Sequence, residues 1–89
     1  MAARPLPAPA LLEAELVVLV RERLLETPPG FHAESNLYLA GLDSMSIMQL
    51  IILVEEEYGV SLPDGALTKD NISTVRQLAQ VIRAHAASA

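Results

Sequence analysis

The chain has 89 residues, a formal net charge of −5 and no cysteine. That length supports one domain with a single core and little reserve, and without cysteine neither a disulfide frame nor a thiolate metal site can hold it. Its residues are 52% hydrophobic with only three aromatics, Phe31, Tyr38 and Tyr58, which favours packed helices of Leu, Ile, Val and Ala over a β-sandwich.

The charge is uneven. Between positions 34 and 70 seven acids face Lys69 alone, while the rest of the chain holds four acids and five arginines. An acidic middle argues against nucleic acid and for basic protein partners. His32 and His85 lie far apart in sequence and make no metal site by themselves. Glu13 and Glu15 interrupt the first apolar stretch and no small-residue cleavage site follows, so no signal peptide is expected. No apolar run reaches membrane-spanning length. A monomer in a reducing cytoplasm is the expectation.

Residues 1–9, rich in Ala and Pro, read as a loose leader, 10–86 as the domain and 87–89 as a frayed tail. The first helix is expected over residues 9–25, with Pro9 suited to its first turn. Leu12, Leu16, Leu19, Val20 and Leu24 fall on one stripe, with Glu13, Glu15, Glu22 and Arg23 facing out. Thr27-Pro28-Pro29-Gly30 closes it, since a residue before proline is pushed out of helical geometry. Residues 27–43 then form a long connection anchored by Phe31, Leu37 and Leu42, and long ordered loops usually have work to do.

The connection ends in Gly41-Leu42-Asp43-Ser44-Met45. Gly41 permits a tight turn, and Asp43 or Ser44 can cap the helix that follows. If Asp43 caps, Ser44 takes the first helical position with its hydroxyl in water. The free N–H groups and positive dipole end then favour a phosphate there. A plain cap is the bland alternative for this serine.

The second helix is expected from Ser44 to Tyr58, about 22 Å long. Ile47, Leu50, Ile51, Val54 and Tyr58 form its buried stripe. A second apolar set, Met45, Met48 and Ile52, either packs under the long loop or forms a partner-docking face, for which flexible methionines are suited. Glu55, Glu56 and Glu57 sit at the wrong end for the dipole, where a partner's arginines could offset the cost. Gly59 fits a C-cap. A short third helix is expected after Leu62-Pro63-Asp64-Gly65, running to Asp70. The last helix spans 75 to about 86, introduced by a Thr74/Gln77 capping box, with Val75, Leu78, Ala79 and Ile82 inward and Arg76 and Arg83 outward.

Three stretches share one further property. Asn36-Leu37-Tyr38-Leu39-Ala40-Gly41-Leu42-Asp43-Ser44-Met45, Glu55-Glu56-Glu57-Tyr58-Gly59-Val60-Ser61-Leu62-Pro63 and Asn71-Ile72-Ser73-Thr74-Val75 resemble, in order and at nearly matching spacing, the acyl and peptidyl carrier proteins. The resemblance implies an all-α four-helix bundle, three main helices and one short one, that performs no chemistry itself. It implies 4′-phosphopantetheine joined to Ser44 by a phosphopantetheinyl transferase using coenzyme A, with Gly41, Leu42 and Asp43 around the attachment point. The arm's thiol would hold an acyl or aminoacyl thioester. Implied partners are an adenylating loading enzyme and downstream transferases or synthases, docking on Met45, Met48, Ile52, Glu55 and Glu56. Fatty-acid-type members place acids where this chain has Ser46 and Gln49. Leu42-Asp43-Ser44-Met45 and Met48-Gln49-Leu50 look closer to D-alanyl and other aminoacyl or peptidyl carriers.

Two rivals remain. A serine hydrolase elbow would need glycine two residues after Ser44, where Ser46 stands, and Asp64-Gly65 lacks the other ligands of a calcium loop. A non-carrier helical module, docking a partner through the second helix alone, is the alternative from another class.

Overall fold

In the computed structural model, which describes residues 6–63 and 65–87, three α-helices surround one apolar core: α1 Pro9–Leu19, α2 Ser44–Tyr58 and α3 Val75–Ala87. A π-helical segment, Val20–Leu24, continues α1. Leu25 N–H donates to the Val20 C=O at 2.9 Å, a wide turn spanning five residues. Leu25 itself is extended, so the helical run stops before Pro28 can act on it. Positions 1–5, within the expected leader, and 88–89, within the expected tail, lie outside the described residues. Leu6 packs against the core, and Arg83 donates to the Pro7 C=O at 3.0 Å.

The core draws Leu12, Leu16, Leu19 and Val20 from the first helical run, Leu50, Leu53, Val54 and Tyr58 from α2, and Val75, Leu78, Ala79 and Ile82 from α3. Leu53 belonged to neither expected stripe of α2, whereas Ile47 and Ile51 are only half-buried. The buried sector is rotated toward Leu53 relative to the expected stripe. Phe31, Leu37 and Leu42 are buried anchors of the long connection, as expected. Among the described residues no polar side chain is buried, and no helix is long and apolar enough to cross a membrane.

Two outward assignments on α1 need correction. Glu15 is half-buried and its carboxylate accepts from the Tyr58 hydroxyl at 2.9 Å. Glu13 accepts from Arg76 at 3.4 Å, and the same guanidinium meets Glu34 at 3.4 Å. Such exposed pairs are worth about 0–1 kcal/mol, so they add little to stability. The stronger tie between the long connection and α3 is backbone: Leu37 N–H to Ser73 C=O at 2.8 Å and Arg76 N–H to Ala33 C=O at 3.0 Å.

Among the described residues the expected short third helix does not appear; residues 65–71 form turns and bends. Asn71 explains this. Its carboxamide accepts from Thr68 N–H at 2.7 Å and donates to Ala66 C=O at 2.8 Å, taking backbone groups a helix would use itself. Gly65 adopts φ +86°, and the following Ile72 is wholly buried, which pins the segment to the core. At α3 the capping box is shifted by one residue on one side. Thr74 Oγ1 accepts from Gln77 N–H at 3.2 Å, while Gln77 Oε1 reaches Ser73 N–H at 2.9 Å. Gly59 closes α2 with φ 67°, its N–H on Glu55 C=O at 2.8 Å.

Leu50 is wholly buried and Leu11 is exposed. Leu50→Ala is expected to cost about 2–5 kcal/mol through lost burial and a residual cavity. Leu11→Ala should change stability by less than about 0.5 kcal/mol. Urea unfolding followed by circular dichroism measures both.

Candidate functional site

The long connection delivers α2 through a braced turn. Leu39 N–H donates to Asn36 Oδ1 at 3.0 Å, Gly41 N–H to Tyr38 C=O at 3.1 Å and Leu42 N–H to Leu37 C=O at 3.0 Å. Gly41 sits at φ +112°, a conformation that side chains rarely tolerate. Leu37 and Leu42 are buried at the two ends of the turn, so the residues between them are pushed outward.

Asp43, not Ser44, is the cap. It is extended, its Oδ1 accepts from Ser46 N–H at 2.9 Å, and the same oxygen accepts from Ser46 Oγ–H at 2.9 Å. The backbone N–H of Ser46, then its hydroxyl, hold the Asp43 carboxyl below its ordinary value, although the group is open to solvent. Ser44 is therefore the first residue of α2 and is exposed, and its hydroxyl makes no hydrogen bond among the described residues. It stands where the first-turn N–H groups lack helical carbonyl partners and the dipole is positive. An unbonded, exposed hydroxyl in that position is able to take a phosphoryl group.

The alternative for Met45, Met48 and Ile52, packing under the loop, is not what the fold does with them. They are 80%, 68% and 54% exposed. Glu55 and Glu56 are exposed one turn further on, with Glu55 accepting from Ser61 Oγ–H at 2.9 Å and the neighbouring Glu57 paired with Arg23 at 3.2 Å. His32 is exposed, its Nδ1 accepting from Glu34 N–H at 3.2 Å, far in sequence from His85.

Two residues of this region carry no helical or motif signal. Ser46 registers in the sequence as the place of a missing acid, yet it is the hydrogen-bond partner that fixes Asp43. Leu39 is 88% exposed at the turn, and only its alternation with buried Leu37 hints at that.

A family model described as the phosphopantetheine attachment site matches residues 14–82. The chain belongs to that family. It is 28% identical over 67 residues to the aminoacyl carrier protein of Agrobacterium fabrum (strain C58), covering 74% of this chain and 81% of that one. It is 35% identical over 51 residues to aminoacyl carrier protein 2 of Bradyrhizobium diazoefficiens, 57% of each chain. It is 40% identical over 47 residues to the acyl carrier protein of Zymomonas mobilis subsp. mobilis, 53% of this chain and 58% of that one. The family's cofactor is phosphopantetheine, held covalently, and carriers of this family are not themselves catalytic.

Since the folded pKa of Asp43 is lowered, its capping contribution is complete above the ordinary carboxylate value and is lost as pH falls through the folded one. Carboxyl NMR titration should place the Asp43 midpoint below the roughly 3.9 of a free aspartate. In Ser46→Ala protein the midpoint should rise part of the way back, because the backbone N–H remains. A midpoint at or above the free value in the wild type would contradict the cap.

Proposed function

We propose that Ser44 is the attachment residue and that the loaded chain carries an aminoacyl group between partner enzymes. The observation that carries this reading is the division of labour at the turn. Asp43 and Ser46 are committed to one another, so of the two serines opening α2 only Ser44 offers an exposed hydroxyl without a bond. The family match spans the residue on both sides.

Ser44 Oγ is the nucleophile in the loading step. Its bond to the phosphorus of the pantetheine phosphate forms as the pyrophosphate P–O bond of coenzyme A breaks. Adenosine 3′,5′-bisphosphate leaves with the electron pair, and the serine proton passes to a base on the transferase. The attached group then supplies a thiol on which cargo is held as a thioester. Asp43 keeps α2 formed up to Ser44, and the positive helix end favours the new phosphodiester. The names of two relatives, each an aminoacyl carrier protein, support an amino acid as cargo, and Ser46 and Gln49 keep the first turns of α2 free of acids.

Partner enzymes are proposed to dock on Met45, Met48 and Ile52, with Glu55 and Glu56 offered to basic residues beyond. Apolar contact near the serine then sets affinity, while the distal acids mainly raise the association rate. At 1.5 Å per residue the acids lie about 16–18 Å along α2 from Ser44.

Intact-mass measurement with coenzyme A and a broad-specificity transferase tests the attachment. Wild-type protein should gain one phosphopantetheinyl mass and Ser44→Ala none, while Ser46→Ala should still be modified. Gain of the mass by Ser44→Ala protein sinks the assignment, and no gain by wild type would favour the bare interaction module. Loading of the modified chain by adenylating enzymes, one amino acid at a time, then identifies the cargo.

For docking, Met48→Glu should weaken transfer from a loading enzyme about tenfold or more while leaving the melting temperature nearly unchanged. Glu55→Gln with Glu56→Gln should slow association at low salt, with the deficit shrinking at high salt as screening removes the wild type's advantage. Stopped-flow binding at two ionic strengths reads both effects. A Met48→Glu variant that binds normally would refute the apolar face.

A further inference from the structure

Leu39 is 88% exposed, more than any other large apolar residue among those described. Its backbone is also hydrogen-bonded in place. Its own N–H is bonded to Asn36 Oδ1 at 3.0 Å. The next residue, Ala40, donates to the Leu37 and Asn36 carbonyls at 3.1 and 3.2 Å, and Gly41 and Leu42 close back on Tyr38 and Leu37. Buried Leu37 and Leu42 fasten both ends of this turn to the core. An apolar side chain presented on a braced backbone loses little freedom on binding, which is the condition under which burial converts to affinity.

Its position narrows what can bury it. Leu39 lies five positions before Ser44, so the two are at most about 18 Å apart even if the chain is fully extended; the turn makes the separation shorter. A protein interface of standard size covers about 800 Å² on each partner, a disc of about 16 Å radius. No charged residue occurs from Ser35 to Leu42, and beyond Ser44 come the exposed Met45 and Met48. Leu39 thus adds an exposed apolar side chain on the loop before Ser44, and the one charge between them in sequence, the Asp43 carboxylate, is bonded to Ser46. Enzymes that act on cargo work at the far end of the arm, and the docking proposed for them on Met45, Met48 and Ile52 runs along α2 and does not require this turn. The enzyme that joins the arm to the chain cannot stand away from the turn, because its reacting phosphorus must reach the Ser44 hydroxyl itself.

We propose that Leu39 is a recognition anchor for the phosphopantetheinyl transferase, entering an apolar pocket of that enzyme while Ser44 lies at its reacting centre. The proposal rests on the reading of Ser44 as the attachment residue. Leu39 touches neither reacting group; it positions the carrier and adds binding energy. Its loss should therefore raise KM and leave kcat nearly intact.

The test uses the unmodified full chain with a broad-specificity phosphopantetheinyl transferase. Calorimetry measures the Kd of the carrier for the enzyme, and mass spectrometry with coenzyme A measures KM and kcat. Leu39→Asp should raise Kd and KM about tenfold or more with kcat within about twofold, and Leu39→Ala should raise them about three- to tenfold. Leu39→Met and the control Leu11→Asp, another exposed leucine exchanged on α1, should stay within about twofold of wild type. Circular dichroism melts should coincide for all variants; were Leu39→Asp to melt early, Leu39→Ala decides. Normal modification of wild-type Ser44 together with unchanged Kd and KM in the Leu39 variants overturns the anchor alone. Modification of the wild type elsewhere than Ser44, or not at all, overturns the attachment reading and the anchor with it.

Discussion

Burial of Leu37 and Leu42 is the constraint from which the surface around Ser44 follows. Both side chains are in the core and their backbones are bonded to one another at 3.0 Å. Chain that enters and leaves the core at neighbouring points must loop outward between them, and only Gly41, at φ +112°, lets it return so sharply. The return leaves Asp43 extended at the mouth of α2, where its carboxylate takes the Ser46 N–H. Ser44 then has nowhere to point but solvent. The exposed serine is the result of two buried leucines, one glycine and one cap, with no contact devoted to the serine itself.

The rest of the molecule serves the same arrangement with few polar devices. Among the described residues the core contains no polar side chain, so its stability is a matter of apolar area and close fit. Ion pairs are peripheral, and Arg76 joins α1, the long connection and α3 through two carboxylates at the surface. The uneven charge of the sequence is thus left for the outside, where it shapes encounters more than folding.

The three helices, the anchors Phe31, Leu37 and Leu42, and the α3 core residues were legible because helical spacing and capping are local rules. Family resemblance carried the fold and the cofactor. What was not legible depended on contacts between distant residues. Leu53 is buried because of what packs on α2, which a stripe drawn from α2 alone cannot know. Glu15 turns half inward because Tyr58, far along the chain, offers it a hydroxyl. The expected short helix before Asp70 gave way to turns once Asn71 claimed the backbone groups of Ala66 and Thr68. At the site, either Asp43 or Ser44 could have capped, and only the bonds to Ser46 decide between them. Leu39 reads as one more apolar loop residue until its neighbours are seen to be buried without it.

The backbone ties from Leu37 to Ser73 and from Ala33 to Arg76 also bear on the order in which the molecule is made. Translation proceeds from the N-terminus, so residues 33–37 are synthesised well before their partners at 73 and 76 exist. Until α3 has left the ribosome, the turn before Ser44 has its local bonds and its apolar anchors Leu37 and Leu42 but lacks the two backbone ties at Ser73 and Arg76. A nascent chain halted ahead of α3 would present the serine on a turn that lacks those two ties. The bracing of the loop before Ser44 is therefore completed only once residues 73–76 are made, although the serine lies in the middle of the sequence.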